Sequence, residues 1–87
     1  MMANKIDWFE VWCEDWEGLL QTQGRIIQSE LEAGHSWSSR HVQHEVEILE
    51  QWDREYRYNL GRFAEMTEGQ VKRWCYFDLL KRGAITR

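Results

Sequence analysis

The sequence predicts an all-α fold: an antiparallel hairpin of two long helices plus a short third C-terminal helix, forming a small three-helix bundle. Three observations lead there. The 87 residues contain no proline and only six glycines, so the residue most disruptive to helix interiors is missing. Apolar residues recur at three- and four-residue intervals along two long stretches. Cap-forming residues between Gly34 and Ser39, and again at Thr67, divide those stretches from each other and from a third. A chain of this length supports one core. Residues 1–87 are therefore read as a single helical domain, with helices over 4–33, 38–65 and 68–82.

For the first helix, Asn4 is the expected N-cap, with Asp7 three residues on. Ile6, Phe9, Cys13, Trp16, Leu20, Ile27 and Leu31 then follow at helical spacing. Adding Trp8, Trp12, Leu19 and Ile26 widens the apolar face to roughly 160°, with Glu10, Glu14, Glu17, Arg25 and Glu32 opposite. One neighbouring helix cannot cover a face that wide. Gly34 reads as the residue just past the helix end, and Ser36, Ser38 and Ser39 as alternative caps for the next helix.

In the second helix Val42, Val46, Leu49, Asp53, Tyr56, Leu60 and Phe63 trace a heptad seam with one polar member, flanked by Ile48 and Trp52. Asp53 either fixes register across the seam or reaches along the helix edge to Arg57, and the sequence favours the second. Glu50 and Arg54 form a further i,i+4 pair. The short connection forces the two long helices to pack antiparallel. Thr67 with Gln70 makes a capping box for the third helix, and Gly83 stops it. Val71, Trp74, Cys75 and Leu79 share one face, while Tyr76, Phe77 and Leu80 make the helix apolar nearly all round.

Such a helix needs cover on more than one side. The six tryptophans point the same way, each able to bury roughly 150–250 Å². The surplus apolar surface is therefore expected to meet a second chain, either a protein partner or another copy in a homo-oligomer. The competing arrangement lays the third helix in the groove between the long ones and leaves Tyr76 and Phe77 half exposed.

Charge is unevenly spread. Residues 1–33 hold seven acids against Lys5 and Arg25, a balance of −5, residues 34–66 sum to −2, and residues 67–87 sum to +3. The basic end carries Lys72, Arg73, Lys81 and Arg82 beside Trp74 and Tyr76, the best candidate for nucleic-acid contact. An overall charge of −4 weighs against it, and cations at a helix C-terminus are ordinary dipole partners. The row Glu10, Glu14, Glu17 reads as a solvated face.

His35, His41 and His44 gather near the first turn beside Glu45, without the ligand set of a zinc or di-iron site, so no metal and no cofactor is expected. Cys13 and Cys75 lack the spacing of a disulfide framework and read as buried free thiols. Phosphate loops, nucleophile elbows and zincin motifs do not occur, so no catalytic residue, enzyme activity or small-molecule substrate is predicted. Neither a secretory signal nor an apolar run of membrane-spanning length is found, which predicts a cytoplasmic location without membrane contact.

The expectation is a protein-interaction module: an adaptor, a complex subunit or a small inhibitor of a larger machine, of the kind phages and mobile elements encode. Trp8, Trp12, Trp37, Tyr58, Trp74, Tyr76 and Phe77 are the candidate contact residues, being of types that dominate interfaces when buried there.

Overall fold

The structure, a computed structural model, describes residues 6–86. It contains α1 (Trp8–Glu32), α2 (Arg40–Phe63) and α3 (Glu68–Lys81), and no strand among the described residues. α1 packs against α2 along the hairpin, and α3 packs back on α1. Because α3 is short, it covers one end of the hairpin only, and the Cα envelope is elongated at 54 × 27 × 17 Å.

Each boundary has a local cause. Asn4 lies outside the described residues, and Asp7 is the cap that α1 uses. Its Oδ1 accepts from the backbone N–H groups of Phe9 (3.1 Å) and Glu10 (3.3 Å). A carboxylate there satisfies free donors and complements the positive end of the helix dipole. α1 therefore starts at Trp8 rather than at residue 4.

Its other end closes as a Schellman motif, with His35 N–H donating to Glu30 O and Gly34 N–H to Leu31 O, both at 3.1 Å. That closure needs a left-handed residue, and Gly34 supplies φ +101° without the clash a Cβ would bring. Gly83, φ +76°, ends α3 in the same way.

Of the three serines in the turn, Ser39 caps α2, its Oγ accepting from Val42 N–H at 3.2 Å. α2 stops at Phe63, two residues earlier than the periodicity suggests, because Ala64, Glu65 and Met66 bond three residues back in a tightened turn. The Thr67–Gln70 capping box forms in both directions, at 2.9 and 3.2 Å.

The main core sits where all three helices meet. Trp12, Cys75 and Leu79 are fully buried there, with Trp16, Phe63 and Val71 nearly so. The Trp12 ring lies 5.1 Å from Phe63, 5.4 Å from Tyr56, 6.0 Å from Trp74 and 6.1 Å from Trp16. These tilted and edge-on arrangements are the ones aromatic quadrupoles favour.

Below α3 the hairpin is only two helices thick, and its buried residues are Gln23, Ile27 and Val42. Gln23, 4% exposed, donates through Nε2 to the Glu45 carbonyl (2.9 Å) and to Glu45 Oε1 (2.7 Å). The wide α1 face is only partly used, since Ile6 and Ile26 remain 50% and 38% exposed. Asp53 reaches Arg57 at 3.0 Å along the helix edge, whereas Glu50 and Arg54 form no ion pair among the described residues.

Candidate interaction surface

Polar side chains lock α3 onto α1. Asp78 Oδ2 accepts from the buried Trp12 Nε1 (2.8 Å) and from Arg82 Nε (3.0 Å), and Arg82 Nη1 donates to Asp15 Oδ2 at 2.8 Å. The Arg82 guanidinium also lies 4.8 Å over the Trp16 ring. Burial opposes its charge, but the bonds to Asp15 and Asp78 outweigh that and hold its pKa above the ordinary value. Lys72 is paired with Glu68 at 3.0 Å. Two of the four cations considered for nucleic-acid contact are thus engaged within the fold, while Arg73 and Lys81 form no ion pair among the described residues.

The seven candidate aromatic residues divide by position. Trp12 is fully buried, so it belongs to the core, and no partner can reach it in this fold. Trp37 is 60% exposed but sits in the turn at the far end of the hairpin. Trp8 and Tyr76 are half-buried against each other, ring centroids 4.8 Å apart, and Tyr76 continues to Phe77 at 5.4 Å.

Trp74 and Phe77 line one groove with Arg62 of α2, and Tyr58 lies one turn before Arg62 on α2. Tyr58 and Phe77 are 67% and 52% exposed. The groove, about 420 Å³, is lined by Arg62, Met66, Gln70, Arg73, Trp74 and Phe77. The Arg62 guanidinium lies 6.0 Å from the Tyr58 ring, so Tyr58 borders the groove through Arg62. A shallower depression of about 170 Å³ extends it past Phe77 to Asp78 and Lys81. Arg62 and Met66 were not among the residues the sequence singled out, and Gln70 was read only as a capping residue. The one signal for Arg62 was its place four residues after Tyr58 on the same helix face.

A larger groove of about 490 Å³ opens at the hairpin end, with Phe9, Leu60, Phe63 and Val71 in its wall and Asp7, Glu68 and Lys72 at its rim. Lys72 and Glu68 neutralise each other there.

The histidines take a different geometry from the one their spacing suggested. His41 Nε2 lies 3.0 Å and His35 Nε2 3.6 Å from the Glu30 carboxylate, whereas Glu45 is held by Gln23. Among the described residues no group of three or more His, Cys, Asp or Glu is arranged to hold a metal ion. Cys13 and Cys75 are free thiols. Burial pushes both up, Cys75 to about 12, the reverse of what a nucleophilic thiolate requires. Glu10, Glu14 and Glu17 are exposed, and Glu17 accepts from the Tyr56 hydroxyl at 3.2 Å. No helix among the described residues is long and apolar enough to cross a membrane.

No protein-family model matches this chain, and neither the curated proteins nor the solved structures contain a match.

Proposed function

We propose that the chain is a non-enzymatic protein-interaction module that binds a partner protein through the Tyr58–Trp74–Phe77 face. The observation that carries this reading is the exposure of Tyr58 and Phe77 at and beside a groove flanked by arginines, while Trp12, Trp16 and Phe63 at this end form the core. Folding gains nothing from leaving large rings in water, and Tyr, Trp and Arg are the residues that anchor interfaces once a partner excludes solvent. The roles of adaptor, complex subunit or inhibitor all use such a face.

The nucleic-acid reading loses support from the same geometry, because Arg82 and Lys72 are held by intramolecular carboxylates. A photo-crosslinking amino acid placed at Phe77, and separately at Arg25 on the exposed side of α1, tests the proposal in the native host. Discrete protein adducts are expected from position 77 and not from position 25. Equal or absent labelling from the two positions contradicts it.

A further inference from the structure

We infer that the segment seated in this groove is an acidic peptide of the partner protein, one that sets a large apolar side chain between carboxylates. The inference rests on the proposed function and adds the chemistry of the ligand.

The groove walls come from two helices. Arg62 on α2 and Arg73 on α3 face an interior of Met66, Trp74 and Phe77, and Gln70 is the one uncharged polar group. No carboxylate lines it. Several other cations are paired, Arg57 with Asp53, Lys72 with Glu68, and Arg82 with Asp15 and Asp78. Arg25, Arg40 and Arg54 form no ion pair among the described residues but line no groove with an exposed aromatic ring. Arg62 and Arg73 have no such partner among the described residues. Lys81, beyond Phe77, extends the row, and the one carboxylate of that extension, Asp78, is already engaged by Trp12 and Arg82.

A ligand that covers Phe77 also takes water away from these arginines, and covering them without a counter-charge is unfavourable. Carboxylates fit the planar guanidinium fork in two-pronged fashion. Met66 in the lining adapts to varied apolar side chains. The complementarity is local, since the whole chain carries −4.

Phosphates would suit the same cations, but the packing of Trp74 favours peptide. Stacking of several bases needs a row of open ring faces. The half-buried Trp74 ring is occupied by edge-on packing with Phe63 at 5.3 Å and Trp12 at 6.0 Å, which leaves Phe77 as the one exposed ring in the groove lining.

The test is selection of a displayed random peptide library on the intact chain, followed by titration of the enriched peptides as synthetic fluorescent probes. Enriched peptides are expected to be net acidic with an aromatic or large aliphatic residue. Their affinity should fall about tenfold in the Arg62→Gln/Arg73→Gln double variant, and also on raising salt from roughly 50 to 300 mM. Both arginines are exposed, so these variants retain the fold, which circular dichroism checks.

Neutral or basic peptides that still depend on Phe77 overturn the acidic ligand and leave the interaction module standing. Enrichment no greater than on a blank surface removes both. Binding of an oligo-dT probe abolished by Phe77→Ser, or self-association of the chain lost in the double arginine variant, replaces the partner peptide with nucleic acid or a second copy and overturns the inference.

Discussion

Replacing Asp78 by alanine tests what holds α3 in place. Its Oδ2 is the acceptor for Trp12 Nε1 at 2.8 Å and for Arg82 Nε at 3.0 Å, and Trp12 is fully buried. Removing the carboxylate leaves an indole N–H without partner in the core, which costs about 1–3 kcal/mol. Arg82 keeps Asp15, so the lost charge-assisted bond adds only about 1 kcal/mol, discounted because the Arg82 and Asp78 side chains are 24% and 18% exposed.

The sum, about 2–4 kcal/mol, is a large share of a stability on the order of 5–10 kcal/mol for a domain this size, and lowers Tm by roughly 10–20 °C. Urea and thermal unfolding followed by circular dichroism measure it, with Asp53→Ala as the internal reference. That side chain makes only an exposed pair with Arg57, so its loss should cost less than about 0.5 kcal/mol. A cycle through Trp12→Phe, which removes the donor, should show at least about 1 kcal/mol of coupling with Asp78→Ala. Equal costs for Asp78→Ala and Asp53→Ala, or additivity with Trp12→Phe, would refute the argument that this carboxylate anchors α3 through the buried indole.

Gln23→Ala removes both bonds to Glu45 in the two-helix part of the hairpin and should cost about 1–3 kcal/mol by urea titration, with a result within experimental error of wild type counting against it. Gly34→Ala should destabilise by about 1 kcal/mol because its φ of +101° strains an L-residue. Gly18→Ala, exposed in α1 with nothing within 4 Å of an added Cβ, should stabilise by about 0.5–1 kcal/mol, and paired denaturation curves should show the opposite signs. Burial holds the Cys75 thiol up at about 12, against 9.0 for an unhindered one, and also raises Cys13 and Tyr56. The unfolded chain therefore loses these protons first: stability is intact below pH 9 and falls as pH rises toward 12, by up to about 1.4 kcal/mol per pH unit for each such group. Tm measured across that range should decline, and Cys75→Val should flatten the decline.

Much of the fold was legible because it depends on local chemistry. Gly34 and Gly83 close helices through left-handed φ, and Thr67 and Gln70 cap each other across three residues, so their roles are readable without tertiary information. Asp53 reached Arg57 for the same reason, the i,i+4 geometry being a property of one helix. The surface was less legible. Trp12 and Trp74 look alike in sequence, both on apolar helical faces, yet Trp12 is enclosed by four aromatic neighbours and Trp74 forms a groove wall. Periodicity gives the angle of a residue about its own helix, but not which neighbour covers that angle.

The same limit applies to charge. Lys72, Arg73, Lys81 and Arg82 formed one basic cluster in sequence, but the packing of α3 on α1 brought Asp15, 67 residues away, against Arg82. It also placed Arg62 of α2 beside Arg73, in a groove without a carboxylate.

Helix count and order, the glycine stops and the Thr67–Gln70 capping box were thus determined by the sequence alone, since hydrogen bonds between residues three to five apart create them. The caps of α1 and α2 were settled among several candidates only in the fold. Which aromatic residues became core and which arginines stayed unpaired was decided only by the tertiary structure. Those outcomes depend on the rotation and reach of α3 along α1, a packing relation between distant segments that no local pattern encodes.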